Sequence, residues 1–418
     1  MRLAGYRRAV ESSTSQRHLS FPLRAHHVYL THVHVLQITP YFPPTWAYGG
    51  IPRIVDGLSR ALVEEGIDVT VLTTDAFDAE HRSGVSAARD HHGVTVRTVK
   101  NVSNRLAYRH QLFLPRGISG VLAGLPEIDV VHLHGHRHLL NNAAVRWAQS
   151  RDVPYVLTAN GTLLRHERKV GAKWLWDAVV AGHIPASAAR CIAVSRADAA
   201  MHHKAGIPAD RVRLIPNGLD LGEFDPLPRR GSFRQRHGLP QGPLVVYLGQ
   251  ISPRKGVEHL VAAFADGAPG GSTLVIAGND MGGLAAAQAA LRPGSPVRFV
   301  GLLEGRERLE LLADADVLVY ASTAEVFGLV PFEGLLCGAP VVVGDDCGCG
   351  ELIAESGAGL LVRHGDVAGL RARIRTLLLD RVAAEAMVSR GRRYIRQRLG
   401  FAPIARQHHA LYSEVTTA

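Results

Sequence analysis

"HVHVLQITPYFPPTWAYGGIPRIVDGLSRALVEEGIDVTVLTTD", residues 32–75, is the stretch from which the fold follows. It opens on a short apolar run, 32–39, and closes on a second, "DVTVLTTD". Between them lies a loop rich in proline and glycine, then Ile51, Val55, Leu58 and Leu62 at intervals of four, three and four. That spacing sets the four side chains on one face of a helix, which Gly66 ends. Strand, helix and strand in that order read as a βαβ unit, whose crossover helix requires the two strands to lie parallel.

The same grammar recurs at "DVVHLHG" (129–135), "PYVLTANG" (154–161) and "RCIAVS" (190–195), with helical segments between. Residues 215–232, "IPNGLDLGEFDPLPRRGS", are dense in Pro, Gly, Asp and Asn and have no hydrophobic period, so they read as a linker. Beyond it the pattern restarts with "LVVYLG" (244–249), the turn "QISPRKG" and the helix "VEHLVAAFA". The strands "STLVIAG", "VRFVG", "ADVLVYAS" and "APVVVGD" follow. The expected class is α/β, with two doubly wound halves, 31–215 and 233–400, joined by a linker at 216–232. Each half presents the carboxyl ends of its strands to a shared cleft, where such folds bind ligands. The first 30 residues have no clear period and read as an extension without order of its own or as a misassigned start.

Bulk properties narrow the class. A chain of 418 residues exceeds one typical core. No apolar run reaches the roughly 18 residues of a membrane span. The basic start "MRLAGYRRAVESSTSQRHLSFPLRAHH" lacks the apolar centre of a signal peptide. Four cysteines, Cys191, Cys337, Cys347 and Cys349, are no disulfide framework at this size, so a cytoplasmic location is expected. The net charge of +10 attracts anions such as nucleic acid, phosphosugars or an anionic membrane face, without choosing among them. No Gly-x-Gly-x-x-Gly follows the opening strand and no glycine directly precedes a lysine, which argues against a dinucleotide oxidoreductase and a P-loop ATPase.

Two loops carry the chemistry. In "AEVFGLVPFEG" (324–334), Glu325 and Glu333 flank Gly328 and Pro331. Pro331 suits the first turn of a helix, which puts Glu333 in that turn and Glu325 in the loop before it. Amides around Gly328, Leu329 and Val330 then face the cleft and suit a diphosphate. On spacing alone, Glu333 is equally explained as a partner of the helix dipole. In "LGQISPRKGV", Arg254 and Lys255 stand at the carboxyl edge of the second half's first strand. Two basic residues before a helix are ordinarily just solvated. Cations for phosphate beside acids for sugar hydroxyls nevertheless describe a nucleotide-sugar site.

The chain resembles the retaining glycosyltransferases of family 4, which have the GT-B fold. The matching stretches are "EVFGLVPFEGLLCGAPVV", "LGQISPRKG", "AVSRAD", "RVRLIPNGLDLGEFDP", "YGGIPRIVDGLSRALVEEGIDVTVLTTD" and "DVVHLHG", in order from about residue 33 to the end. The resemblance implies an acceptor-binding first half and a nucleotide-sugar-binding second half. It also implies a C-terminal helix, 401–418, returning to the first half. Glu325 would contact the transferred sugar and Glu333 the ribose. Phe327, Gly328, Leu329 and Val330 would offer backbone amides, and Lys255 would neutralise the diphosphate. Gly49 and Gly50 would allow close backbone approach, and His134 would lie near the reacting sugar. Gly278, Asn279 and Leu302 would line the base, and His136 and Asn160 the acceptor. The donor implied is a UDP- or GDP-sugar, with no cofactor and no metal. The acceptor implied is lipid-linked or an oligosaccharide, in glycolipid or extracellular or cell-wall polysaccharide synthesis, and no nucleic acid takes part.

This chain departs from the pattern twice. Gln250 stands where the family has arginine after "LG", which makes Arg254 the candidate substitute, and Asn160 stands where histidine is common. His132, His134, His136 and His138 alternate at one strand end without Cys or acid at ligand spacing, so they read as core and site contacts and not as a metal centre. Asp314 and Asp316 precede a strand at its amino end and read as structural. "KNVSNRLAYRHQLFLPRG" (100–117) and "RHERKVGAKWLW" (165–176) mix basic and aromatic residues and suit peripheral contact with an anionic membrane. The competing readings are a sugar-nucleotide epimerase of the same fold and a non-catalytic nucleotide-binding protein. The first does not explain the Glu-x7-Glu loop, and the second predicts a damaged glutamate pair.

Overall fold

In the computed structural model, residues 33–45, 50–163, 182–265, 267–303 and 305–417 are described. The N-terminal extension, Gly49 and the basic segment 165–176 lie outside them. The first half is built on β1 (His34–Ile38), β2 (Asp68–Thr74), β3 (Ala88–His91), β4 (Val94–Asn101), β5 (Pro115–Arg116), β6 (Val130–His134), β7 (Tyr155–Thr158), β8 (Arg190–Ala193) and β9 (Val212–Leu214). They form one sheet in the order β3-β4-β2-β1-β6-β7-β8-β9, with β5 paired to β4. Only β3 and β5 run antiparallel, both against β4.

The second half holds β10 (Leu244–Leu248), β11 (Thr273–Ala277), β12 (Val297–Gly301), β13 (Val317–Tyr320), β14 (Val341–Gly344) and β15 (Gly359–Val362). Their order is β12-β11-β10-β13-β14-β15, parallel throughout. The two-domain GT-B architecture, two Rossmann-like sheets with helical crossovers, is therefore present.

The strands are continuous apolar runs because helices cover both faces of each sheet. Leu244 to Leu248 and Val317 to Tyr320 are all buried. The first helix, Gly50–Glu64, buries Ile54, Val55, Leu58, Ala61 and Leu62. The terminal helix, Phe401–Thr416, packs Ile404, Leu411, Tyr412 and Val415 into the same cluster as Val55, Leu58 and Leu62. The chain passes between the halves at 215–232 and again near 400. There Leu219 N–H donates to the Leu399 carbonyl at 2.7 Å.

Strand order places the loops that matter. In the first sheet it reverses between β1 and β6, and in the second between β10 and β13. Loops leaving those pairs diverge and open a crevice. The loop after β10 contains Gln250 to Lys255 and the loop after β13 contains Glu325 to Leu329. Because Val245 pairs with Val317, these two segments stand side by side.

The acid pair at the opposite end of β13 is structural. Asp316 is buried and accepts from Leu244 N–H at 2.7 Å, and Asp314 accepts from Arg234 N–H at 2.8 Å. All four cysteines are buried free thiols. Among the described residues no helix is long and apolar enough to cross a membrane.

Candidate active site

The loop after β13 turns sharply before the helix Val330–Cys337 because Gly328 takes a φ of +79°. Pro331 falls in the first turn and Glu333 with it. At Gly328 a β-carbon would stand 3.0 Å from both Cys349 Sγ and Tyr320 Cε1 and 3.3 Å from Glu325 Cγ. Conformation and space both demand glycine there.

Glu325 is the centre of a buried polar triangle. Lys255 Nζ donates to its carboxylate and to the Tyr320 hydroxyl, and that hydroxyl donates to Glu325 Oε2 at 3.2 Å. Burial pushes the Glu325 carboxyl up, but the Lys255 ammonium, Arg254 and the Tyr320 hydroxyl outweigh it and hold it below the ordinary glutamate range. Lys255 also lies 4.5 Å from the centre of the Tyr320 ring. Tyr247 stacks nearly parallel to that ring and donates to the Gln250 carbonyl at 2.7 Å. Burial first, then Glu325, raise the Tyr320 phenol far above its usual value, so it stays a neutral donor.

Glu333 meets a different cation. Arg308, from the helix Gly305–Asp314, places NH1 2.8 Å from Glu333 Oε2 and NH2 2.8 Å from Glu223 Oε2 in the interdomain segment. Glu223 in turn lies 3.5 Å from Arg53 of the first helix. The ribose candidate thus belongs to a chain of alternating charges that reaches the first half.

The remaining candidates separate into two groups. Arg254 is half-buried and donates to the Ala324 carbonyl at 3.2 Å, beside the triangle. Phe327 turns its ring into the core against Phe332, leaving only its backbone for the site. Gly278 packs its Cα so tightly on the Gly249 carbonyl that a β-carbon would lie 1.7 Å away. Asn279 accepts from Ile251 N–H at 2.9 Å, and Leu302 is exposed at the end of β12. Leu329 and Val330 stand at the helix start, and Gly50 faces Leu329 from across the cleft.

The first-half histidines lie deeper. His134 is buried, donates through Nε2 to Gln37 Oε1 at 2.7 Å and lies tilted against His132 with ring centres 4.0 Å apart. Desolvation lowers its pKa to about 3, so it is a neutral imidazole. His136 is buried too, its backbone N–H donating to Thr162 Oγ1. Asn160 takes a φ of +49° in the turn after β7, next to Gly161, where a β-carbon would fall 2.9 Å from Val326 Cγ1 of the donor loop. A further contact across the cleft is made by Glu351, which accepts from the N–H groups of Arg196 and Ala197 at 2.9 and 2.8 Å.

Sequence reasoning missed Tyr320, Arg308 and Glu223. A polar aromatic at the carboxyl end of a buried parallel strand marks the first. The other two lie on helical and loop stretches that carry no spacing signal.

The comparisons with known proteins agree with this geometry. The family described as "Glycosyltransferase Family 4" matches residues 48–223, and "Glycosyl transferases group 1" matches 230–394. A glycogen synthase of Mycobacterium tuberculosis is 30% identical over 396 residues, covering 87% of this chain and 90% of the relative. A GDP-mannose-dependent alpha-mannosyltransferase of the same species is 29% identical, covering 75% and 81%. Among solved structures, HepE of Anabaena in complex with UDP and glucose superposes with a TM-score of 0.70 at 21% identity, covering 92% of this chain and all of that one. Sucrose-phosphate synthase of Thermosynechococcus elongatus gives 0.72 at 23%, covering 92% and 99%. Matched through both halves and along nearly the whole of a 30% identical relative, the chain belongs to glycosyltransferase family 4 and is a glycosyltransferase of the GT-B fold.

Proposed function

We propose that this enzyme moves a hexose from a UDP- or GDP-sugar to an acceptor hydroxyl with the anomeric configuration retained. The carrying observation is the buried Lys255–Tyr320–Glu325 triangle at the switch point of the second sheet, with Glu333 eight residues on. Donor binding would draw the Lys255 ammonium from Glu325 toward the diphosphate. The bond from anomeric carbon to phosphate oxygen breaks with its electron pair leaving on the diphosphate. The acceptor oxygen bonds that carbon, and its proton leaves with the diphosphate. Lys255, Arg254 and the helix start at Val330 meet the developing charge, so the reading requires no metal ion. HepE solved with UDP and glucose, and relatives named for GDP-mannose, support a nucleotide-sugar donor and leave the base open.

A lipid-linked or oligosaccharide acceptor for glycolipid or extracellular polysaccharide synthesis fits the basic surface of the first half. There Val102, Leu106 and Tyr108 are exposed beside Lys100, Arg105 and Arg109, a composition suited to an anionic leaflet. The test is nucleoside diphosphate release from a panel of UDP- and GDP-sugars in excess EDTA, with the product anomer read by NMR. Release with a retained anomer supports the reading. Absolute dependence on added metal, or an inverted anomer, overturns it.

A further inference from the structure

A second anionic site lies away from the cleft, at the amino end of β13. A cavity of about 320 Å³ opens there between the segment before β10 and the helix Arg381–Tyr394, lined by Arg230, Arg381, Arg392, Asp316, Glu385 and Ser389 among others. Its floor is Asp316, whose side chain is only 4% exposed. Arg230 NH2 and Arg381 NH1 approach the same oxygen, Oδ1, at 2.6 and 3.1 Å, and Arg234 NH2 takes Oδ2 at 3.0 Å. Three guanidinium groups thus share one carboxylate.

The sharing leaves charge over. Two arginines on one oxygen hold like charges side by side, and the three guanidinium groups exceed the two buried carboxylates nearby, Asp316 and Asp314, the latter bonded to the Gly231 and Arg234 N–H groups. Glu385 on the rim is exposed, and Arg392 is committed to the Leu335 and Leu336 carbonyls, where it caps the end of the donor-loop helix. Arg230 and Arg381 have side chains 55% and 58% exposed. Both line the cavity, and each gives Asp316 only one of its guanidinium nitrogens. A pair of guanidinium forks facing one small pocket matches the oxygens of a compact dianion.

We infer that this pocket binds a phosphate monoester or free phosphate, with Arg230 and Arg381 as its paired donors and Asp316 fixing their forks. The inference stands apart from the donor reading, because the pocket lies at the opposite ends of the strands from Lys255 and Glu325.

The test is calorimetric titration of the full chain with inorganic phosphate and with glycerol 3-phosphate, ionic strength held constant with chloride. Saturable binding in the wild type is expected, weakened at least tenfold by Arg230→Ser/Arg381→Ser and persisting in Lys255→Met, which removes only the phosphate contact at the donor loop. Tighter binding of glycerol 3-phosphate identifies a phosphorylated metabolite as the occupant; equal or tighter binding of inorganic phosphate identifies the free ion, and either order supports the site. Arg381→Lys keeps the charge and loses the fork, and an intermediate loss is expected even if the double variant folds poorly. Absence of saturable binding, binding unchanged in the arginine variants, or binding lost in Lys255→Met would overturn the inference.

Discussion

Lys255 and Glu325 are 70 residues apart in the chain and share one buried ion pair. Lys255 is 8% exposed at its side chain, so deleting Glu325 strands an ammonium, a change that costs about 3–5 kcal/mol. Glu325→Gln is the cleaner probe because the amide oxygen still accepts from Lys255. It is expected to lower turnover by roughly 100-fold or more while the melting temperature stays close to wild type; near wild-type turnover would remove Glu325 from the mechanism. Its folded carboxyl lies below the ordinary value of 4.5. The pair's contribution to stability is therefore full above that value and fades as pH falls through the lower folded one. Lys255→Met should weaken nucleoside diphosphate binding about 10–100-fold by calorimetry, and unchanged affinity would shift the phosphate contact to Arg254. Gly328→Ala places a β-carbon against Cys349 and Tyr320 at a left-handed φ. A loss of about 1–2 kcal/mol in urea unfolding, together with lost turnover, is the expected result.

The helix Gly50–Glu64 was readable from its apolar spacing, yet its docking was not. Gly57 sits mid-helix, where propensity favours alanine by about 1 kcal/mol. In the fold a β-carbon there would fall 1.9 Å from Phe401 Cε2 of the terminal helix. Gly57→Ala is therefore expected to destabilise by about 1–3 kcal/mol in chemical denaturation, and Phe401→Leu in the same chain to restore part of it. A stabilised Gly57→Ala would show that the two helices do not pack as described. Strand legibility follows the same division. The long apolar runs announce β1, β2, β6, β10, β11, β13 and β14. The strands read from the sequence omit β3, β4, β5, β9 and β15: β5 has two residues and β9 three, too few for a period to register. β4 and β15 mix buried with half-buried or exposed positions, because they stand at or near a sheet edge.

The terminal helix also closes a buried histidine cluster over the first sheet. His132 bonds Tyr412 through Nδ1 and Thr158 through Nε2, each at 2.7 Å, and His408 lies 5.4 Å from it. Desolvation lowers His134 and His408 to about 3 and His132 well below its usual value. These groups bind protons in the unfolded chain near pH 6.5 but not in the fold. Stability is thus full above that pH and declines below it, by about 1.4 kcal/mol per pH unit for each histidine. Urea midpoints should fall between pH 7 and pH 5, and His408→Phe should flatten the slope by roughly one histidine. A midpoint independent of pH in that window would contradict the burial of the cluster.

The sequence by itself determined the alternation of strand and helix, the division into two doubly wound halves and the two loops that carry charge. Those are local facts, written in spacing and in turn residues. Only the tertiary structure decided that Lys255 and Tyr320 together hold Glu325, that Arg308 ties Glu333 to Glu223, and that Phe401 seats against Gly57. Each joins residues from separate elements, and their meeting depends on strand order and helix packing, which no short window of sequence encodes.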